Sequence, residues 1–221
     1  MISRFRVPNF RGIAGSSLAA LLSTLLTSVS NFVLSAFLVR SLGYAGFGSY
    51  SVHFILALFG TSLIITLVTV PGVSIAVAGG ECLRDKTLAG TSFLAVFAMV
   101  PVAVALMAVA TSGFGGLEVV PTLVFFVAQA AAEHLRRLNF ASGRLSAALF
   151  FDLYRLGVIW VTVLVLAALR PDTSAGTYLI AVGAAGMLAI MTVIPLRKIT
   201  PFPTDEYPEL TRRIFRSGSW L

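Results

Sequence analysis

Residues 41–80 read SLGYAGFGSYSVHFILALFGTSLIITLVTVPGVSIAVAGG, forty in a row without an aspartate, glutamate, lysine or arginine. A helix crosses a ~30 Å hydrocarbon core with ~20 apolar residues, so the run holds more than one crossing needs. At ~1.5 Å per residue it would extend ~60 Å as one straight helix, which forces a bend or a turn. Its glycines and proline mark where. RSLGYAGFG at Arg40–Gly48 reads as a glycine-punctuated turn. Pro71-Gly72 reads as a break or kink after a span of about 47–70, with VSIAVAGG adding an interfacial turn.

Three more uncharged runs flank this one, from Gly12 to Val39, Thr87 to Leu117 and Thr173 to Leu196. Charged residues make up 11% of the 221-residue chain, against about 25% in an ordinary soluble domain. The fold class is therefore all-α, a polytopic membrane protein with a bundle of six transmembrane helices. The expected spans are about 16–39, 47–70, 88–110, 117–138, 147–169 and 174–194. Ser16 and Ser17 stand where an N-cap is needed, and Pro101 predicts a kink in the third span. Thr111–Gly116, TSGFGG, reads as a tight turn. A β-barrel would show ~10-residue alternating segments, which are absent. The apolar run after Arg4, Arg6 and Arg11 is too long for a 7–15-residue signal core, so it reads as a span. The tail, residues 196–221, is proline-dotted and then basic and amphipathic. It reads as an interfacial helix or as the start of a seventh span.

The formal charge of +7 raises the question of nucleic acid, but its distribution answers no. Thirteen Lys and Arg fall on the basic arm, Glu81–Lys86, Glu133–Ser146 and the tail, and only Arg40 and Arg170 on the opposite turns. That asymmetry places both termini in the cytoplasm. The one cysteine, Cys82, excludes an intramolecular disulfide and a CxxC site.

Enzyme signatures are missing. GFGS at Gly46–Ser49 lacks the third glycine of a dinucleotide loop, and there is no GxxxxGK[ST], HExxH or GxSxG. His53 and His134 lie on different helices without a carboxylate cluster, so neither a metal nor a cofactor is expected. Arg155 is the sharpest candidate. With helix starting near Ser146 it lies ~13 Å deep, too far for easy snorkelling. Asp152 precedes it by three residues on the same face. Two readings stay open: a locally neutralised pair that fixes packing, or a cation facing a water-filled cavity that receives an anionic substrate. Asn31 and Gln129 read as cross-helix hydrogen-bonding groups, and His53 as interfacial. Glu133, His134, Arg136 and Arg137 read as a helix end at the headgroups, and Gly183 and Gly186 as close-packing positions.

Two stretches resemble a known family. SNFVLSAFLVRSLGYAGFGSYSV, residues 30–52, is similar to the first-to-second-helix signature of polysaccharide (O-antigen-type) flippases, through Arg40, Leu42, Gly43, Phe47, Gly48 and Tyr50. FASGRLSAALFFDLYR, residues 140–155, looks like the same family's fourth-to-fifth-helix link, acidic residue and arginine included. The family belongs to the multidrug/oligosaccharidyl-lipid/polysaccharide exporter superfamily, whose members place two six-helix lobes around a central cavity. The resemblance implies the N-terminal lobe of such an exporter, working with a C-terminal lobe or a second copy. It implies a bacterial inner-membrane flippase for a polyprenyl-diphosphate-linked glycan, working by alternating access. Arg155 would attract the anionic head, with Arg40 weaker and at the outer mouth, and Asp152 and Asn31 complete the candidate substrate-binding residues. The rivals are a cation-coupled drug exporter of the same superfamily, a membrane enzyme acting on lipid-linked sugars, and a non-transporting subunit.

Overall fold

The computed structural model describes residues 10–111, 119–170, 173–193 and 212, and every element among them is helical. In chain order these are α1 (Phe10–Ile64), a π-helical turn (Ile65–Thr69), α2 (Val70–Ala78), α3 (Gly80–Thr111), α4 (Val119–Ala141), α5 (Leu145–Leu169) and α6 (Ala175–Val193). The basic arm before residue 10, the turn beyond Thr111 and, apart from residue 212, the tail from 196 lie outside the described residues.

Six separate spans are not what forms. Four described helices are long and apolar enough to cross a membrane: Leu21–Ala78, Arg84–Val109, Leu145–Leu169 and Ala175–Thr192. The first takes in both of the first two expected spans. α4 is not among them, because Gln129, Glu133, His134 and Arg136 dilute its apolar residues.

The expected turn at Arg40–Gly48 shrinks to one residue. Gly43 has φ 67° and ψ 177°, a combination only glycine adopts at low cost, and helix continues directly on both sides. α1 is thus two arms, residues 10–42 and 44–64, joined at a kink without a loop. Pro71-Gly72 does not end the second arm either. Proline removes one N–H from the ladder, and the turn before it widens so that Val70 N–H donates to Ile65 O, five residues back. α2 then runs to Ala78, Gly79 N–H donates to Ile75 O at 2.9 Å, and α3 begins at Gly80. The backbone of Glu81–Lys86, expected to connect spans, is the opening of α3, since it holds neither Gly nor Pro. Likewise the first helix already includes Ser16–Ser17, and α3 runs through Pro101.

Side-chain contacts fix the direction of each rod. Ser23 meets Asp152 and Ser30 meets Trp160, so the first arm of α1 and α5 run the same way. His53 meets Thr122 and Thr69 meets His134, so the second arm runs with α4. Gly183 lies against Val124 and Phe125, and Gly186 against Ala128, so α6 runs with α4 too. Gly60 lies against Leu106 and Gly72 against Thr91, which makes α3 antiparallel to the second arm. The start of α1, the α2–α3 junction, the α4–α5 turn and the end of α6 therefore share one end of the bundle. Gly43 and the α5–α6 connection share the other.

α4 sits in the middle, packed on α1, α2, α3, α5 and α6. The core gathers Leu38, Ile64, Phe126, Val163, Tyr178 and Leu179, all sealed from the surface. Small residues let the rods approach: a Cβ at Gly183 would lie 3.1 Å from the Phe125 backbone. The outside is apolar as well, with Phe32, Phe59, Phe97, Val104, Val161 and Met191 exposed. An apolar exterior on this scale suits lipid or another protein rather than water.

Candidate functional site

The α4–α5 turn sets the depth of the two charged residues on α5. Ser142 N–H donates to Leu138 O, Gly143 N–H to Phe140 O and Arg144 N–H to Asn139 O, at 2.9, 3.0 and 2.9 Å. Gly143 takes φ 70° to make the reversal, and α5 starts at Leu145. Asp152 follows ~10 Å along the axis and Arg155 ~15 Å along, in a helix ~37 Å long. Both are buried, with 3% and 7% of their surface exposed.

The two do not close on each other. The Ser23 hydroxyl of α1 donates to Asp152 Oδ2. Arg155 Nη1 donates to Gln129 Oε1 of α4 at 3.2 Å, and its Nε has no partner. Among the described residues no carboxylate pairs with this guanidinium; the close ion pair there is Arg136 with Glu133. Of the two open readings, the direct Asp152–Arg155 pair is not formed, and each residue instead makes a polar contact to a neighbouring helix.

Arg155 borders a cleft lined by Ser30, Asn31, Tyr50, Phe54, Phe125 and Gln129, so that α1, α4 and α5 meet around it with Val182 of α6. The cleft has about 20 Å³ of free room, enough for one water and no more. Magnitudes say why this matters. An interhelical hydrogen bond contributes ~0.6 kcal/mol on average, whereas an arginine at the membrane centre costs about 2.5–3.5 kcal/mol on insertion scales. Gln129 alone does not offset Arg155.

Of the other expected site residues, Asn31 is exposed at the rim of this cleft. Arg40 is exposed and lies nine residues further along α1, ~13 Å by helical rise, so it stands outside the cleft. Gln129 makes the expected cross-helix bond, with Arg155 as its partner. Three further residues join the site. Ser23 holds Asp152, and Ser30 accepts from Trp160 Nε1 at 2.8 Å. Trp160 also meets Phe37 edge-on at 6.4 Å. A signal for the serines was there, since Ser23, Thr27, Ser30 and Asn31 recur at i, i+4, i+7 and i+8 on one helical stripe.

A second polar cluster lies nearer the end of α4. His134, only 6% exposed, has Nδ1 2.9 Å from Thr69 Oγ1 in the π turn and Nε2 3.1 Å from Ser92 Oγ in α3. It is a buried three-helix tie, with Thr69 of the widened turn facing it. His53, expected at the interface, is enclosed by protein. It is sealed in the core, with Nδ1 2.5 Å from Thr122 Oγ1. Glu133 accepts both Arg136 contacts, at 2.7 and 2.8 Å, across one turn of α4. Among the described residues no three His, Cys, Asp or Glu side chains converge as metal ligands do.

Compared with protein-family models, curated proteins and solved structures, the chain matches none.

Proposed function

We propose that this chain is a transporter lobe of a bacterial inner membrane, one that receives the anionic head of a polyprenyl-diphosphate-linked glycan beside Arg155. The observation that carries the reading is a buried guanidinium that no carboxylate among the described residues pairs with, Asp152 acting on it only from a turn away, and whose Nε is free, at a cleft between helices. A buried cation left short of compensation is a place for an anion to dock. With room for one water, the cleft is closed in this conformation, and alternating access would open it by rocking the helices around Arg155 apart. The partner in that motion is a C-terminal lobe or a second copy, and the apolar face of the first α1 arm, from Leu18 to Val33, suits either it or lipid. The thirteen-to-two distribution of Lys and Arg supports cytoplasmic termini. The alternating rods agree, since they bring the first and last described helix ends to one side.

The test is replacement of Arg155 in the complete transporter, with surface polysaccharide measured at matched protein level. Arg155→Ala abolishes export and Arg155→Lys keeps part of it, because lysine supplies the charge without the planar fork. Undiminished export by Arg155→Ala would overturn the proposal. The Gln129 contact favours one second reading, a packing role. In that case Arg155→Ala and Gln129→Ala would lower thermal stability equally, and export would follow protein amount alone.

A further inference from the structure

At the bundle end that carries the α4–α5 turn, a second cavity lies between α2 and α4. Val70, Val73 and Ser74 form one wall, and Arg137, Phe140 and Ala141 the other. It holds about 230 Å³, more than ten times the room beside Arg155. The neighbouring surface continues the apolar wall, with Leu67 54% and Val77 59% exposed. The one charged group in the lining is Arg137, whose Nε is buried without a partner. Its neighbour Arg136 is committed to Glu133, so the carboxylate nearest in sequence is already taken by another cation.

A groove with an apolar wall and one guanidinium whose Nε has no partner among the described residues matches an amphiphile whose head is an oxyanion. We infer that Arg137 and the α2 wall form a binding site for an anionic phospholipid, its phosphate on the guanidinium and an acyl chain along Val70, Val73 and Phe140. Ser74 fits beside the head, being exposed at the mouth with its hydroxyl donating to Val70 O at 2.9 Å. Charge position favours a lipid over a soluble phosphate. Arg137 sits one turn from the end of α4, at the bundle end that the proposed orientation puts toward the cytoplasmic headgroups, where cations meet anionic lipid. A bound lipid would tie α2 to the end of α4 and brace the π turn from outside. The site is independent of any cargo at Arg155.

The experiment uses the full chain in detergent, with thermal stability and retained lipid measured after adding phosphatidylglycerol, phosphatidylcholine or inorganic phosphate. Phosphatidylglycerol is expected to raise the melting temperature and to be retained, phosphatidylcholine to be retained less, and inorganic phosphate to do nothing. Arg137→Gln is expected to weaken phosphatidylglycerol retention about fivefold, the worth of one juxtamembrane cation. Val73→Trp, which fills the groove and leaves Arg137 in place, is expected to expel the lipid as well. Arg144→Gln, an exposed cation outside the groove, is expected to change nothing. Equal retention of the two lipids, stabilisation by phosphate alone, or an equal loss in Arg144→Gln would each overturn the assignment. So would unchanged retention in Arg137→Gln.

Discussion

The buried polar side chains contribute unequally, and the distances separate them. Ser23 and Ser30 each complete one contact to α5, so Ser23→Ala and Ser30→Ala are expected to cost ~0.6 kcal/mol apiece, the average for interhelical bonds. Gly72 is different in kind. A Cβ there would stand 2.3 Å from Thr91 Oγ1 and 2.4 Å from its Cγ2, so Gly72→Ala must force α2 from α3. Overpacking of this sort costs about 1–3 kcal/mol. Thermal unfolding in detergent checks both, and Thr91→Ala in the Gly72→Ala background should restore part of the loss. At this scale the sequence told which residues were unusual but not what they touch. Asp152 and Arg155 stood out as charges in an apolar helix, and one face held both. Their true partners lie 129 and 26 residues away, on helices whose rotation no local pattern specifies. Trp160 carried no signal at all, because a tryptophan in an apolar run reads as core.

Among the elements, α5 was legible almost to the residue, expected at 147–169 and found at Leu145–Leu169. Gly143 before it and Pro171 after it are strong stops, and the run between them is apolar. The first hundred residues were not legible in that way. Glycine clusters and Pro71-Gly72 look like chain breaks, yet the helix passes them by using one glycine torsion and one widened turn. Each device predicts its own mutant. Gly43→Ala is expected to lower stability by about 1–3 kcal/mol through backbone strain alone, since nothing lies within 4 Å of the added carbon. Pro71→Ala returns the missing N–H and lets the turn tighten to α. That rotates Thr69 away from His134, and loss of the His134–Thr69 coupling in a double-mutant cycle is the measurement.

For the molecule as a whole, composition and uncharged runs foretold an all-helical chain with long apolar helices. They overstated the number of separate helices because they put loops where the chain turns at single residues, Gly43 and Gly79, instead. The alternating directions give a topology test. In a Cys82→Ser background, cysteines replacing Tyr44 and Thr173 are expected to label from one side of the membrane. A cysteine at Ser142 is expected to label from the other. Labelling of Tyr44→Cys and Ser142→Cys from the same side would break the proposed orientation.

The one-residue joints at Gly43 and Gly79 leave the backbone from Phe10 to Thr111 without a loop. A protease needs a stretch it can unwind into its cleft, and this stretch presents none. Arg40 is exposed yet stays within a hydrogen-bonded turn, whereas Arg144 is exposed at a non-helical residue in the α4–α5 reversal. Brief trypsin treatment should therefore nick the described chain at Arg144 and spare Arg40. The products would separate the α1–α4 portion from α5 and α6 while the fold still held them together.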